Sequence, residues 1–131
     1  MKSKLFVIGK PIRHSQSPII HNLWIEKYPL NANYDKLEIE TKEIRNLIRD
    51  LREDKIRGFN VTIPYKRIMI DFVDELEESS LKSKAVNTVY KVKDKIIGAN
   101  TDGIGFISSL QKDLNFHFDS NTNVMCIGAG G

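Results

Sequence analysis

Apolar residues fall along the chain in short runs and periodic stripes, separated by prolines, glycines and charges. Leu5 to Ile8 form a compact apolar run that predicts a buried strand, ended by Gly9 and Pro11. Ser17 and Pro18 then predict a helix start, with serine as N-cap and proline in the first turn. Ile20, Leu23 and Trp24 give that helix its expected apolar face. The segment NYDKLEI alternates as a second strand through Tyr34, Leu37 and Ile39. Thr41 opens a further helix, where Ile44, Leu47, Ile48 and Leu51 make one apolar stripe at helical spacing.

IRGFNVTIP predicts a third strand closed by Pro64, and YKRIMIDFVDEL reads as one helix or two short ones. EESSLKSK is polar and reads as a solvated turn or helix end. AVNTVYKVKDKIIGAN predicts two strands joined by a tight turn around Lys93 and Asp94, a turn without glycine or asparagine. GIGFISSLQKDL is helical, with Ile104, Ile107, Leu110 and Leu114 on one side. NVMCIGAGG predicts a last strand running into glycines, with Cys126 as a small core residue. Strands alternate with helices up to about Lys66, which implies parallel pairing, and the Val86–Asn100 pair adds an antiparallel connection. The expected fold is therefore α/β, an open three-layer sheet, mixed but mainly parallel, with helices on both faces.

Composition narrows the functional classes. A chain of 131 residues is long enough for one compact domain with a real core. The 20 basic and 17 acidic residues leave +3, and they interleave, as in DLREDKIR. No basic stripe with aromatic partners is present, so nucleic acid is not an expected partner. No apolar run approaches the roughly 20 residues that span a bilayer, and the N-terminal apolar run is too short for a signal peptide. One cysteine excludes an internal disulfide framework. These features predict a cytoplasmic protein without membrane association.

In an open α/β sheet, ligands bind outside the carboxyl ends of the strands, and the informative polar residues gather there. Ser15 and Ser17 follow the first strand, Thr62 and Lys66 follow GFNV, and Asn100, Thr101 and Asp102 follow KIIGA. Asn87 stands near the start of a strand, where asparagine is depleted. Hydroxyls and amides both donate and accept hydrogen bonds, which suits a ligand rich in hydroxyl groups. The helix start at Pro18 favours an anion such as a carboxylate beside Ser15 and Ser17.

Lys66 and Asp102 are the one pair here suited to proton chemistry. A lysine with an ordinary pKa of about 10.4 is a poor base at neutral pH. Lys66 would need burial to act as a base, or would act as a hydrogen-bond donor oriented by Asp102; both roles stay open. Plainer readings stand beside these: Thr62 as a strand residue, Lys66 as a solvated lysine, Asp102 as the N-cap of the following helix.

A serine nucleophile is not expected, because there is no G-x-S-x-G elbow. His14 would point to the opposite side of an extended chain from Ser15. His14 and His21 read as surface or packing residues with no second ligand at a zinc spacing, so no metal is expected. IGAGG is an apolar stretch followed by glycines, the opening of a dinucleotide-binding turn.

Together GKPIRHSQSPIIHN, GFNVTIPYK, AVNTV, GANTDGIGF and IGAGG resemble the shikimate dehydrogenase family in order and spacing, from Gly9 to Gly131. The resemblance implies a shikimate-binding catalytic domain over 1–101. Residues 102–131 would be a linking helix with the first strand and glycine turn of a Rossmann NADP-binding domain. Ser15 and Ser17 would hold the substrate carboxylate. Thr62, Asn87 and Asp102 would bond the ring hydroxyls, beside a catalytic pair of Lys66 and Asp102. Gly128, Ala129, Gly130 and Gly131 would start the phosphate-binding loop for NADP. The implied reaction is reversible, NADP-dependent reduction of 3-dehydroshikimate to shikimate, in aromatic amino acid biosynthesis. The remaining NADP-binding strands are absent from the 131 residues, so the chain alone is expected to be inactive.

One local departure is Ser83-Lys84, where the family has an Ile-Gly-like pair before its Ala-Val-Asn-Thr motif. Alternatives are a quinate/shikimate dehydrogenase, with NAD as a further cofactor, or a catalytically dead shikimate-binding fragment. Apolar faces left without Rossmann partners predict self-association.

Overall fold

The computed structural model describes residues 2–128. Its strands are β1 (Ser3–Gly9), β2 (Ala32–Glu38), β3 (Gly58–Val61), β4 (Glu75–Leu76), β5 (Thr88–Val92) and β6 (Lys95–Ala99). Its α-helices are α1 (Ser17–Lys27), α2 (Ile44–Arg52), α3 (Glu78–Ser83) and α4 (Asp102–Lys112). The strands form one six-stranded sheet in the order β2-β1-β3-β5-β6-β4. β1 is parallel to β2 and β3, β4 is parallel to β6, and β5 is antiparallel to both β3 and β6. The mixed, mainly parallel α/β sheet follows from the crossover helices and the single hairpin.

Side chains alternate across the strands, so each strand feeds two layers. Ile8, Phe59, Val61, Val89 and Ile96 point to one face, where Ile44, Leu47, Ile48 and Leu51 of α2 close over them. This is the main core. Leu5, Val7, Ile12 and Tyr34 point to the other face and meet Ile25 of α1. Tyr34 and Leu37 therefore serve opposite layers, as their odd spacing requires.

Several local expectations change. The helix expected to open at Thr41 begins as a 3-10 turn over Thr41–Glu43 and becomes α2 at Ile44. Glu40 and Glu43 cap it reciprocally, so a glutamate stands where serine or threonine usually does. The segment after Tyr65 holds a 3-10 turn, Ile68–Phe72, and the two-residue strand β4. EESSLKSK carries the short helix α3, with Ser80 buried inside it. Lys84 ends α3 in the left-handed conformation, at φ 52°. A glycine there would adopt that backbone with less strain, so the Ser83-Lys84 departure keeps the turn but strains it. In the hairpin, Lys93 likewise takes positive φ, and Val92 pairs with Lys95.

Ser17 does not cap α1. Gln16 occupies the cap position without a side-chain bond, and the Ser17 N–H instead donates to Ser15 Oγ at 3.3 Å. The expected apolar face of α1 is also not a buried face: Ile20, Leu23 and Trp24 are exposed. α1 is tied down by polar contacts, because the Asn22 side chain donates to the Tyr34 carbonyl (2.7 Å) and accepts from its N–H (3.0 Å).

The expected strand at Asn123 is absent through Gly128, and Val124, Met125, Cys126 and Ile127 are exposed. A strand needs a neighbour to satisfy its ladder, and the described sheet offers none here. Cys126 is accordingly not a core residue. Ile104 and Leu114 are exposed in and after α4, as expected for faces without partners.

Candidate functional site

Strand direction gathers the polar residues on one sheet edge. β1, β3 and β6 run the same way, so the residues after each emerge together. β5 runs against them, so its start, not its end, lies at that edge. Asn87 thereby joins Ser15, Thr62 and Asp102.

Close packing sets the first part of the edge. A Cβ on Gly9 would lie 2.6 Å from Thr62 Cγ2 and 2.9 Å from the Ile63 carbonyl. The Thr62 N–H donates to the Ile8 carbonyl at 2.9 Å and Lys10 N–H to Ile63 at 3.0 Å. Only glycine allows this approach of the two chain segments. Lys66 rides on the turn that follows. Buried Tyr65 anchors that turn through its hydroxyl to the Ile39 carbonyl, and the Lys66 carbonyl accepts from Val86 N–H at 2.8 Å.

The second part is a bonded network. Lys66 Nζ donates to Asp102 Oδ2 at 2.7 Å. Asn87 Nδ2 donates to Asp102 Oδ1 at 2.8 Å and to Thr101 Oγ1 at 2.9 Å. Asn87 Oδ1 accepts from Thr101 N–H at 3.0 Å and from Thr88 Oγ1 at 2.8 Å. Asp102 is the first residue of α4, not its cap. Its own N–H donates to Asn100 Oδ1 at 2.9 Å, and its carboxylate faces Lys66 and Asn87. Asn100 is held by Ser79 Oγ and the Ala85 carbonyl, which fixes the start of α4.

Hydrogen bonds thus join Lys66, Asp102 and Asn87. Ser15, Ser17 and Thr62 share the edge, and no bond among the described residues links them to that network. Gly128 has φ +104° and open space where a Cβ would stand. Ala129, Gly130 and Gly131 lie outside the described residues. Among the described residues no group of three His, Cys, Asp or Glu could hold a metal ion. No helix there is long and apolar enough to cross a membrane.

Sequence reasoning passed over Asn60, Thr88 and Tyr34. Asn60 Nδ2 donates to Thr88 Oγ1 at 3.1 Å, and its Oδ1 accepts from the Tyr34 hydroxyl at 2.6 Å. The signal was available, because Asn60 lies inside β3, where asparagine is rare, whereas Asn87 stands one residue before β5.

His21 stacks on Tyr34 with ring centroids 4.0 Å apart and 5° between planes. Burial holds its pKa below the ordinary 6.5. A base depressed in the fold binds fewer protons there than in the unfolded chain, so stability rises with pH. The neutral imidazole's contribution is complete above about pH 6.5 and is lost as pH falls through the lower folded value. His21→Phe keeps the stack and removes the titration. Urea midpoints between pH 5 and 7.5 should fall with acid for the parent and lack that limb in the variant.

The fold and site define an α/β domain of mixed sheet with a lysine–carboxylate pair at the carboxyl ends of its strands. Residues 7–89 match the family model described as the shikimate dehydrogenase substrate binding domain. The NADP(+)-type shikimate dehydrogenase of Pelagibacter ubique is 48% identical over 132 aligned positions, covering 100% of this chain and 49% of that protein. A shikimate dehydrogenase crystallised in complex with NADP+ superposes with a TM-score of 0.84 at 34% identity, covering 90% of this chain and 41% of that one. A Listeria monocytogenes shikimate 5-dehydrogenase, crystallised with shikimate and NAD, superposes with a TM-score of 0.80 at 32% identity over 86% of this chain and 39% of that one. The chain belongs to the shikimate dehydrogenase substrate-binding domain family. It spans about half the length of the curated relatives it matches.

Proposed function

We propose that this chain is the substrate-binding, catalytic half of an NADP-dependent shikimate dehydrogenase. The observation that carries this is the Lys66–Asp102 pair, 2.7 Å apart and tied to Asn87, at the open sheet edge of a chain of this family.

The residues divide by chemistry. Ser15 and Ser17 lie at the start of α1, where two hydroxyls and the positive end of the helix dipole favour the substrate carboxylate. Thr62, Asn87 and Asp102 would face the ring hydroxyls. In the oxidative direction the Lys66–Asp102 pair takes the proton of the reacting hydroxyl, and in the biosynthetic direction it returns one to the carbonyl oxygen. Asp102 holds the Lys66 side chain in place for both.

Gly128 fits the first turn of a phosphate loop, since its positive φ and open Cβ side allow close backbone approach. With Ala129, Gly130 and Gly131 it would hold the NADP phosphates. When bound, NADP accepts the hydride from the carbinol carbon. Residues 1–101 and 102–131 are then the substrate domain and the link into the cofactor domain. The expected setting is the cytoplasm, with no nucleic-acid or membrane partner. Exposed Ile104, Phe106 and Ile127 favour self-association of the chain by itself.

The test is a steady-state assay of the full-length protein. Shikimate-dependent reduction of NADP is expected, and its absence overturns the reading. The same assay with NAD and with quinate addresses the second reading, which the NAD in the Listeria relative's crystal favours. The 131 residues alone should turn nothing over, because hydride transfer needs a cofactor held at near-attack distance.

A further inference from the structure

Asn87 has four hydrogen-bonding positions on its carboxamide, two donors and two acceptor lone pairs. All four are taken by the protein: Thr101 Oγ1 and Asp102 Oδ1 on the nitrogen, Thr101 N–H and Thr88 Oγ1 on the oxygen. The residue is 8% exposed. A group so placed has no donor left for a substrate hydroxyl unless it releases Thr101 or Asp102.

The bonds behind it run in one direction. Tyr34 OH donates to Asn60 Oδ1 (2.6 Å), Asn60 Nδ2 to Thr88 Oγ1 (3.1 Å), and Thr88 Oγ1 to Asn87 Oδ1 (2.8 Å). Asn87 Nδ2 then donates to Asp102 Oδ1 (2.8 Å). Each donor fixes the orientation of the next amide or hydroxyl, and aligned chains of this kind polarise one another. Burial raises the Tyr34 pKa, which keeps its hydroxyl a donor across the physiological range. The Asn60 amide is held a second time, by Nδ2 on the Asn87 carbonyl at 3.2 Å.

We propose that Tyr34, Asn60 and Thr88 are positioning residues: a one-way hydrogen-bond relay from β2, over β1, to β3 and β5 that locks the Asn87 carboxamide, and through it the Asp102 carboxylate, in the orientation that meets Lys66. Asn87 acts chiefly as the relay's last member and only secondarily as a substrate ligand. Without the Thr88 donor the Asn87 carboxamide keeps its bonds to Thr101 and Asp102 but loses its tie to the sheet, so it can tilt and carry the Asp102 carboxylate away from Lys66.

This rests on the shikimate dehydrogenase reading for its kinetic arm alone. In the full-length protein, Thr88→Val keeps the shape and the strand preference while removing the hydroxyl, Thr88→Ser restores it, and Tyr34→Phe removes the first donor. Two readouts are taken: kcat and KM for shikimate, and hydrogen exchange of the Asn87 side-chain amide by NMR. The second reports on the relay whether or not shikimate is turned over, so failure of the reaction assignment and failure of the relay are told apart.

For Thr88→Val the expected result is about a tenfold loss in kcat, KM within about twofold, and about tenfold faster Asn87 exchange. Thr88→Ser should return all three to within about twofold of the parent, and Tyr34→Phe should give a smaller loss of the same pattern. A general loosening of the fold would not be rescued by serine. Unchanged Asn87 exchange in both Thr88→Val and Tyr34→Phe overturns the relay. A rise in KM without loss of kcat overturns it as well, because that pattern marks Asn87 as a direct ligand.

Discussion

Replacing Lys66 with methionine in the full-length protein should lower kcat for shikimate oxidation by about a thousandfold, the middle of the range for losing a placed proton-transfer group. Asp102→Asn should lower it by a similar factor. The double variant should be little worse than either single one, because two groups acting as a unit are not additive. Stability should behave in the opposite way. The side chain of Lys66 is 20% exposed and that of Asp102 53% exposed, so the carboxylate end of the bridge stays open to water. Such pairs contribute about 0–1 kcal/mol to folding. Melting midpoints within about two degrees of the parent are therefore expected beside the large kinetic loss. If the two single losses multiply in the double variant, the residues do not share one proton-transfer step. If kcat survives Lys66→Met, proton transfer belongs elsewhere.

The site was legible in the sequence where strand direction alone decides placement. Ser15, Thr62 and Asp102 each follow a strand that runs the same way, so one rule about strand ends gathers them. Asn87 was legible as an asparagine in a strand, although it stands one residue before β5; Asn60, inside β3, carried that signal unread. Its partners Tyr34 and Thr88 could not be found from spacing, because the contact spans four strands, reaching over β1, and depends on register: Leu5 with Tyr34, Val7 with Asn60, and Asn60 with Thr88.

The stripe in α2 was legible because its whole apolar face is buried. The one in α1 misled, because periodicity reports that a face is apolar without reporting what meets it. The tail at Val124 shows the same limit, since a strand-like sequence makes no strand without a neighbour. Capping failed at Ser17 for a smaller reason: the helix starts one residue earlier, so the Ile19 and Ile20 N–H groups already donate to the Gln16 carbonyl and Ser17 stands inside the first turn.

A pair of leucines separates these two kinds of helix face. Leu51 in α2 is 1% exposed within the main core, whereas Leu23 in α1 is 60% exposed. Both are leucines on a helical apolar stripe that the sequence pattern treats alike. Leu51→Ala should destabilise this chain by about 3 kcal/mol, the transfer cost of the lost methyl groups plus that of a cavity the sheet cannot close. Leu23→Ala should stay within about 0.5 kcal/mol of the parent, since alanine's helix propensity offsets what little contact is lost. Urea unfolding of the two variants, read as shifts in midpoint at constant slope, measures both. Equal losses would mean that Leu23 is buried against something in solution, and the natural candidate is a second copy of the chain. A loss at Leu23 that shrinks on dilution would identify that association, while one independent of concentration would require α1 to pack differently against β2. The main core lies on the α2 face of the sheet, so the first outcome leaves the Lys66–Asp102 edge intact. Repacking of α1 would move Asn22, and with it the backbone of Tyr34 that its side chain holds.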